Sequence, residues 1–169
     1  MHIFKNTGFT LIELIVTIGV LGILVGLSYA GYATFTQRQK LITAGQNLKN
    51  ILRDVESRSF NNEVDCSICN CTDPFNLTLD GWYADLSNKQ FYGVCRGIIF
   101  TQTPFEMSDE IIISSNFSAM EFSNNPPSVN EDVNICLSLA GLPDRYYRIE
   151  INKAGEINDS GGLILTCTP

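Results

Sequence analysis

Histidine occurs once in the chain, as His2, and glycine-rich phosphate loops and dinucleotide fingerprints do not occur at all. Those absences exclude the nucleotide chemistries built on such loops, and they leave no second imidazole for a histidine metal site. Basic residues are also in deficit, with 11 Lys and Arg against 18 Asp and Glu and a net charge of −7. Most of that deficit lies late in the chain. Residues 36–60 hold five basic and two acidic side chains, whereas residues 61–169 hold five basic and fifteen acidic ones. A surface this acidic repels phosphate backbones, so direct nucleic-acid binding is not expected of it. The carboxylates that lie close in sequence, Asp109 with Glu110 and Glu131 with Asp132, are immediate neighbours. Neighbours on a strand point to opposite faces, so neither pair reads as an acid–base couple. Asn158-Asp159-Ser160-Gly161-Gly162 offers oxygens but not the regular carboxylate spacing of a calcium loop, and it reads as a turn. No catalytic residue, cofactor or metal is expected, and the chain does not read as an enzyme.

What the sequence does have is a long stretch without charge, from Leu14 to Gln37. As a helix it spans roughly 36 Å at about 1.5 Å per residue, more than the ~30 Å of a bilayer core. The run opens with Phe9-Thr10-Leu11-Ile12-Glu13-Leu14, so a carboxylate lies inside the apolar segment. An acid there costs on the order of a few kcal/mol unless it is neutralised or paired, and the chain offers no nearby partner, which makes Glu13 a candidate for function. A secretory signal with a small-x-small site at Ser28-Tyr29-Ala30, or a plain anchor, accounts for the apolar run but not for Glu13.

Gly8-Phe9-Thr10-Leu11-Ile12-Glu13-Leu14, preceded by a short leader with Lys5, resembles the class III signal of type IV pilins and type II secretion pseudopilins. The resemblance implies that a prepilin peptidase cuts between Gly8 and Phe9, that Phe9 becomes N-methylated, and that Glu13 meets the terminal amine of a neighbouring subunit. It implies a leader over residues 1–8, a transmembrane and polymerisation half-helix over 9–37, and a globular head with the amphipathic half-helix over 38–169. The partners it implies are the peptidase, other pilin or pseudopilin subunits and membrane lipid. The implied place is a single-pass membrane anchor with the head outside the cytoplasm, in a surface fibre or periplasmic pseudopilus. Two further roles stay open, a minor subunit that primes or caps a fibre and a tethered binding module that does not polymerise. Removal of residues 1–8 also removes His2.

Past the apolar run, Leu41, Gly45, Leu48, Leu52 and Val55 recur at helical spacing, with basic side chains on the remaining faces. One helix of about 50 residues, ending in the polar stretch Ser59–Asn62, is therefore expected. From Trp82 the pattern changes to short β-branched and aromatic runs at 82–86, 90–94, 97–101, 110–114, 117–122, 133–140, 146–152 and 163–167, with a hairpin turn at Asn152-Lys153-Ala154-Gly155. Sequential short strands with short links favour antiparallel pairing. The fold class is thus α+β, a long N-terminal helix packed on an antiparallel sheet, which is also the pilin arrangement. The order from Cys136 through Arg145–Arg148 to Gly155 is similar to H-type pseudopilin and fimbrial T-like domains. Asn125-Pro126-Pro127 departs from their glycine after Phe122.

Six cysteines lie at 66, 69, 71, 95, 136 and 167, all beyond the apolar run. An even number in a small exported domain reads as disulfides, while Cys66, Cys69 and Cys71 leave zinc open if a fourth ligand is found. Alkylation of the native protein without reductant is expected to modify few of Cys66, Cys69, Cys71, Cys95, Cys136 and Cys167. Mass spectrometry showing all six modified contradicts the disulfide expectation.

Overall fold

The computed structural model describes residues 10–69, 71, 79–124 and 127–169. It divides into two compact units, Met1–Thr36 and Gln37–Pro169. Helix α1, Leu11–Phe60, contributes to both, and a second short helix, α2, covers Cys66–Cys69. Among the described residues nine strands follow: β1 Leu79–Asp85, β2 Gln90–Cys95, β3 Ile98–Pro104, β4 Ile111–Ser115, β5 Ala119–Asn124, β6 Pro127–Ser128, β7 Val133–Leu139, β8 Leu142–Ile151 and β9 Ile157–Asp159. The head contains two sheets, in the orders β3-β2-β1-β5-β6 and β4-β7-β8-β9. Every described strand pairing is antiparallel.

In the first unit α1 exposes Leu11, Ile12, Leu14, Ile15, Val16, Ile18, Val20, Leu21, Ile23, Leu24 and Val25. It is long and apolar enough to cross a membrane, and none of its most apolar 18-residue window is buried. In the second unit α1 is one-sided. Leu41, Gly45, Leu48, Leu52, Val55 and Ser59 are buried, at alternating steps of four and three that keep them on one face. Leu41, Leu48, Leu52 and Val55 lose all exposure, a contribution on the order of 2 kcal/mol each.

At Gly45 the helix lies close against the sheet, because a Cβ there would overlap the ring of Tyr147 on β8. Beside that contact the helix is tied by polar groups. Lys49 Nζ donates to Asp159 Oδ2 at 2.9 Å, and the Tyr147 hydroxyl donates to the same oxygen at 2.7 Å. About three turns further on, Ser59 Oγ donates to the Phe122 carbonyl at 2.6 Å. The helix then stops. Asn62 takes a left-handed φ of 52°, the Asn62 N–H returns to the Ser59 carbonyl at 3.1 Å, and the Glu63 N–H returns to the Arg58 carbonyl at 2.9 Å. This is the Schellman arrangement, with asparagine in the position usually given to glycine.

Where the sequence suggested one sheet there are two, and the expected strand at 163–167 is reduced to a single bridge between Ile164 and Tyr146. β9 holds the same edge of β8 at Ile149–Ile151, and the later segment meets that edge only at Tyr146. The turn at Ser160–Gly162, held by Ser160 Oγ donating to the Gly162 carbonyl at 2.6 Å, sends the chain past that edge. β8 also begins earlier than the aromatic pattern implied, because Leu142 pairs with Leu139 directly across the Ala140-Gly141 turn.

The bonds from Lys49 and Tyr147 hold the Asp159 carboxyl below its ordinary range, and burial together with Asp159 holds the Tyr147 hydroxyl well above its own. An acid whose folded-state pKa is depressed adds stability above its unfolded value, near 3.9, and loses it as pH falls through the folded value. Asp159→Asn is therefore expected to lower stability by about 1–2 kcal/mol near pH 7. The deficit should shrink as the wild type is acidified toward about pH 2. Thermal melts across that range check this, and a deficit independent of pH would show that Asp159 acts without its charge.

Candidate functional site

The start of α1 is where the sequence concentrates its functional candidates. Gly8 and Phe9 lie outside the described residues. Thr10 directly precedes the helix, and the Leu14 N–H donates to its carbonyl at 3.2 Å. The Thr10 hydroxyl accepts the Glu13 N–H at 3.4 Å and donates to Glu13 Oε2 at 3.3 Å. Thr10 and Glu13 thus stand at the cap and third positions of a capping-box spacing, with the acid in the first turn, where it meets the positive end of the helix dipole. The sequence left Glu13 without a nearby partner, and the structure supplies one in Thr10. The signal for it in the sequence is the Thr-x-x-Glu spacing, which pairs the acid with a hydroxyl and not with a charge.

The cysteines come together as three pairs. Cys66 and Cys71, with Cα atoms 4.9 Å apart, close a short loop at α2. Cys69 and Cys95, 5.6 Å apart, tie α2 to the end of β2, and both are fully buried. Cys136 and Cys167, 5.9 Å apart, fasten the chain beyond β9 to the middle of β7. Cys66, Cys69 and Cys71, the trio that left zinc open, are thus divided between two disulfides, and no group of metal-ligating side chains occurs among the described residues.

The acidic neighbours serve structure. Glu110 pairs with Lys40 at 2.6 Å, and Asp109 lies 3.9 Å from Lys89. Asp132 Oδ1 accepts the Lys153 N–H at 2.9 Å. The turn after β9 spends its oxygens internally, since Asp159 is taken by Lys49 and Tyr147 and Ser160 Oγ donates to Gly162. Asn116 joins Ser115 and Phe117 to β7, donating to the Asp132 carbonyl at 3.0 Å and accepting the Asn134 N–H at 3.0 Å.

The remaining distinctive surface is on the outer side of the five-stranded sheet. Tyr83 and Tyr92 are directly paired across β1 and β2, with ring centroids 5.6 Å apart and planes inclined by 11°. Burial, reinforced by the neighbouring Glu121 and Asp80 carboxylates, pushes the Tyr83 hydroxyl up to about 12. Nothing in the sequence reading singled out this pair, although strand alternation separates Tyr83 and Tyr92 from the buried Trp82 and Phe91.

Two comparisons with known proteins bear on these features. The family described as the prokaryotic N-terminal methylation motif matches residues 3–29. The fold is similar to that of the type IV minor pilin FimU of Pseudomonas aeruginosa strain PAO1. In one crystal form of FimU the TM-score is 0.54 at 14% identity, with 79% of this chain and 99% of that chain covered. In a second crystal form the TM-score is 0.52 at 14% identity, with 76% and 100% covered. No curated protein matches the sequence. The resemblance to type IV pilins and pseudopilins therefore holds for the signal and for the α+β fold, in two separate comparisons.

Proposed function

We propose that the chain is a structural subunit of a type IV pilus or a type II secretion pseudopilus, cut by a prepilin peptidase between Gly8 and Phe9, methylated at Phe9 and assembled through α1. The observation that carries this is the junction of a methylation motif with a 50-residue helix, apolar and exposed in its first half, whose second half is built into a pilin-like head. The subunit is held in the membrane by the first half of α1, with its disulfide-tied head outside the cytoplasm, where paired cysteines persist. A minor rather than a major role is supported by the similarity to a minor pilin.

Assembly is assigned to Glu13. An acid in hydrocarbon is costly, and cleavage after Gly8 creates an ammonium at Phe9, so a neighbouring subunit in the correct axial register presents a counter-charge and one in the wrong register does not. Glu13 thereby contributes register as well as attraction.

Gly8→Val is expected to leave the leader uncut, raising the mass of the membrane-bound chain by that of residues 1–8 and removing the N-methyl group. A wild-type protein that retains Met1 in its native host defeats the processing reading. Glu13→Gln and Glu13→Leu are expected to enter the membrane and to lose fibre formation by electron microscopy, with Leu no better than Gln. Fibres of normal number and length from Glu13→Leu exclude the register role and leave processing untouched.

A further inference from the structure

We propose that the outer face of the five-stranded sheet, centred on the Tyr83–Tyr92 stack and the Glu121 carboxylate, docks a basic segment of a different protein rather than a second copy of this chain. The proposal goes beyond the fibre-subunit reading and does not depend on it.

The face follows from alternation. Trp82 and Ala84 on β1, Phe91 and Cys95 on β2, and Met120 and Phe122 on β5 are all buried, so the residues between them face the other way. Tyr83 is opposite Tyr92 on one side and opposite Glu121 on the other, and the three form a row across adjacent strands. Each of the three is only partly buried.

Glu121 reaches back along this row. A Cβ at Gly81 would lie 3.2 Å from Glu121 Cγ and 3.3 Å from Oε1, so the missing side chain at Gly81 leaves the space beside which the carboxylate rests. Asp80 accepts the Gly97 N–H at 2.8 Å, and Asp85 accepts two bonds from Asn88 at 2.9 and 2.7 Å. No ion pair compensates Glu121, Asp80 or Asp85 among the described residues. The Tyr83 hydroxyl is raised first by burial and then by Glu121, through both its charge and its hydrogen bond with the hydroxyl, and by Asp80, which places both carboxylates beside the ring stack.

Stacked aromatic rings next to uncompensated carboxylates suit a cation, attracted to the rings by their quadrupole and to the acids by charge. Tyrosine also supplies large contact area at low entropic cost. The class of partner is therefore a polypeptide segment presenting arginine or lysine.

Charge complementarity also decides against self-association. Residues 61–169 carry fifteen acidic and five basic side chains, so two heads meet acid to acid. Of the five basic side chains of α1, four are engaged within the head and Arg38 is exposed. Lys40 is bound to Glu110, Lys49 to Asp159, and Arg58 to both Asp54 and Glu63, while Arg53 reaches the Ile157 carbonyl. Even with Arg38 counted, residues 36–169 hold ten basic against seventeen acidic side chains, so the complementary surface is assigned to another protein.

The test uses the full chain in detergent micelles, titrated with a labelled arginine–serine repeat peptide and with its glutamate–serine counterpart. The arginine peptide is expected to bind saturably and to weaken as salt rises, and the glutamate peptide is expected not to bind. Tyr92→Ala and Glu121→Gln should each weaken binding about tenfold, a change in the range of a desolvated cation–π contact. Tyr92→Phe, which keeps the ring, should retain binding, and thermal melts of Tyr92→Ala and Glu121→Gln matching the wild type separate lost binding from misfolding. Asp109→Asn removes the same charge outside this face and should bind as wild type does. Absence of binding by the wild type, or equal losses in Asp109→Asn and Glu121→Gln, overturns the proposal. So does self-association of the wild type, seen by sedimentation and abolished by Tyr92→Ala, since the face then takes a second copy.

Discussion

The contact between Gly45 and the Tyr147 ring is the constraint on which the head depends. A helix can lie this close to a strand only where it has no side chain, and the closeness brings Lys49, one turn along, within reach of Asp159. Tyr147 takes part in both, with its ring against Gly45 and its hydroxyl on Asp159. Packing and electrostatics are therefore coupled at one point. Leu41, Leu48, Leu52 and Val55 extend the contact as apolar area, which is non-directional, whereas the Lys49–Asp159–Tyr147 group is directional and fixes how the helix is rotated and how far it is advanced.

Much of this was legible in the residues because periodicity reports burial directly. The stripe Leu41, Gly45, Leu48, Leu52 and Val55 was readable from spacing alone, and the alternation in Arg148-Ile149-Glu150-Ile151 marked β8. The partition into two sheets was not legible, since it depends on which edges pair over long distances, and alternation says nothing of that. The segment 163–167 shows the difference well. Its residues have the composition of a strand, but they meet β8 at a single bridge, next to the stretch of that edge held by β9. The pairing of the cysteines lay beyond the sequence for the same reason, whereas their even number did not.

The candidate site was legible to a different extent. Glu13 was visible as an anomaly, because an acid in an apolar run contradicts its surroundings, and the capping relation to Thr10 was written in the spacing but is weaker as a signal. The Tyr83–Tyr92 pair was hidden. Tyrosines on alternating positions look like any half-buried strand until register sets them opposite each other.

The capping contacts of Glu13 bear on why the acid is there. A cap and a favourable dipole interaction are worth about 1 kcal/mol each when exposed to water. Moving an ionised acid into the apolar part of a bilayer costs several kcal/mol, and the hydrogen bonds between Thr10 and Glu13 at 3.3–3.4 Å are long. The local contacts therefore explain how the helix begins at Leu11, but they are too weak to offset the acid's own cost. Other caps, such as an aspartate or serine before the helix, would start it as well without placing a charge three residues inside the apolar run. Unless the acid is neutralised, the balance falls to a group outside the helix, which is the physical reason for placing the proposed subunit contact at this residue and not elsewhere along an otherwise uniform apolar surface.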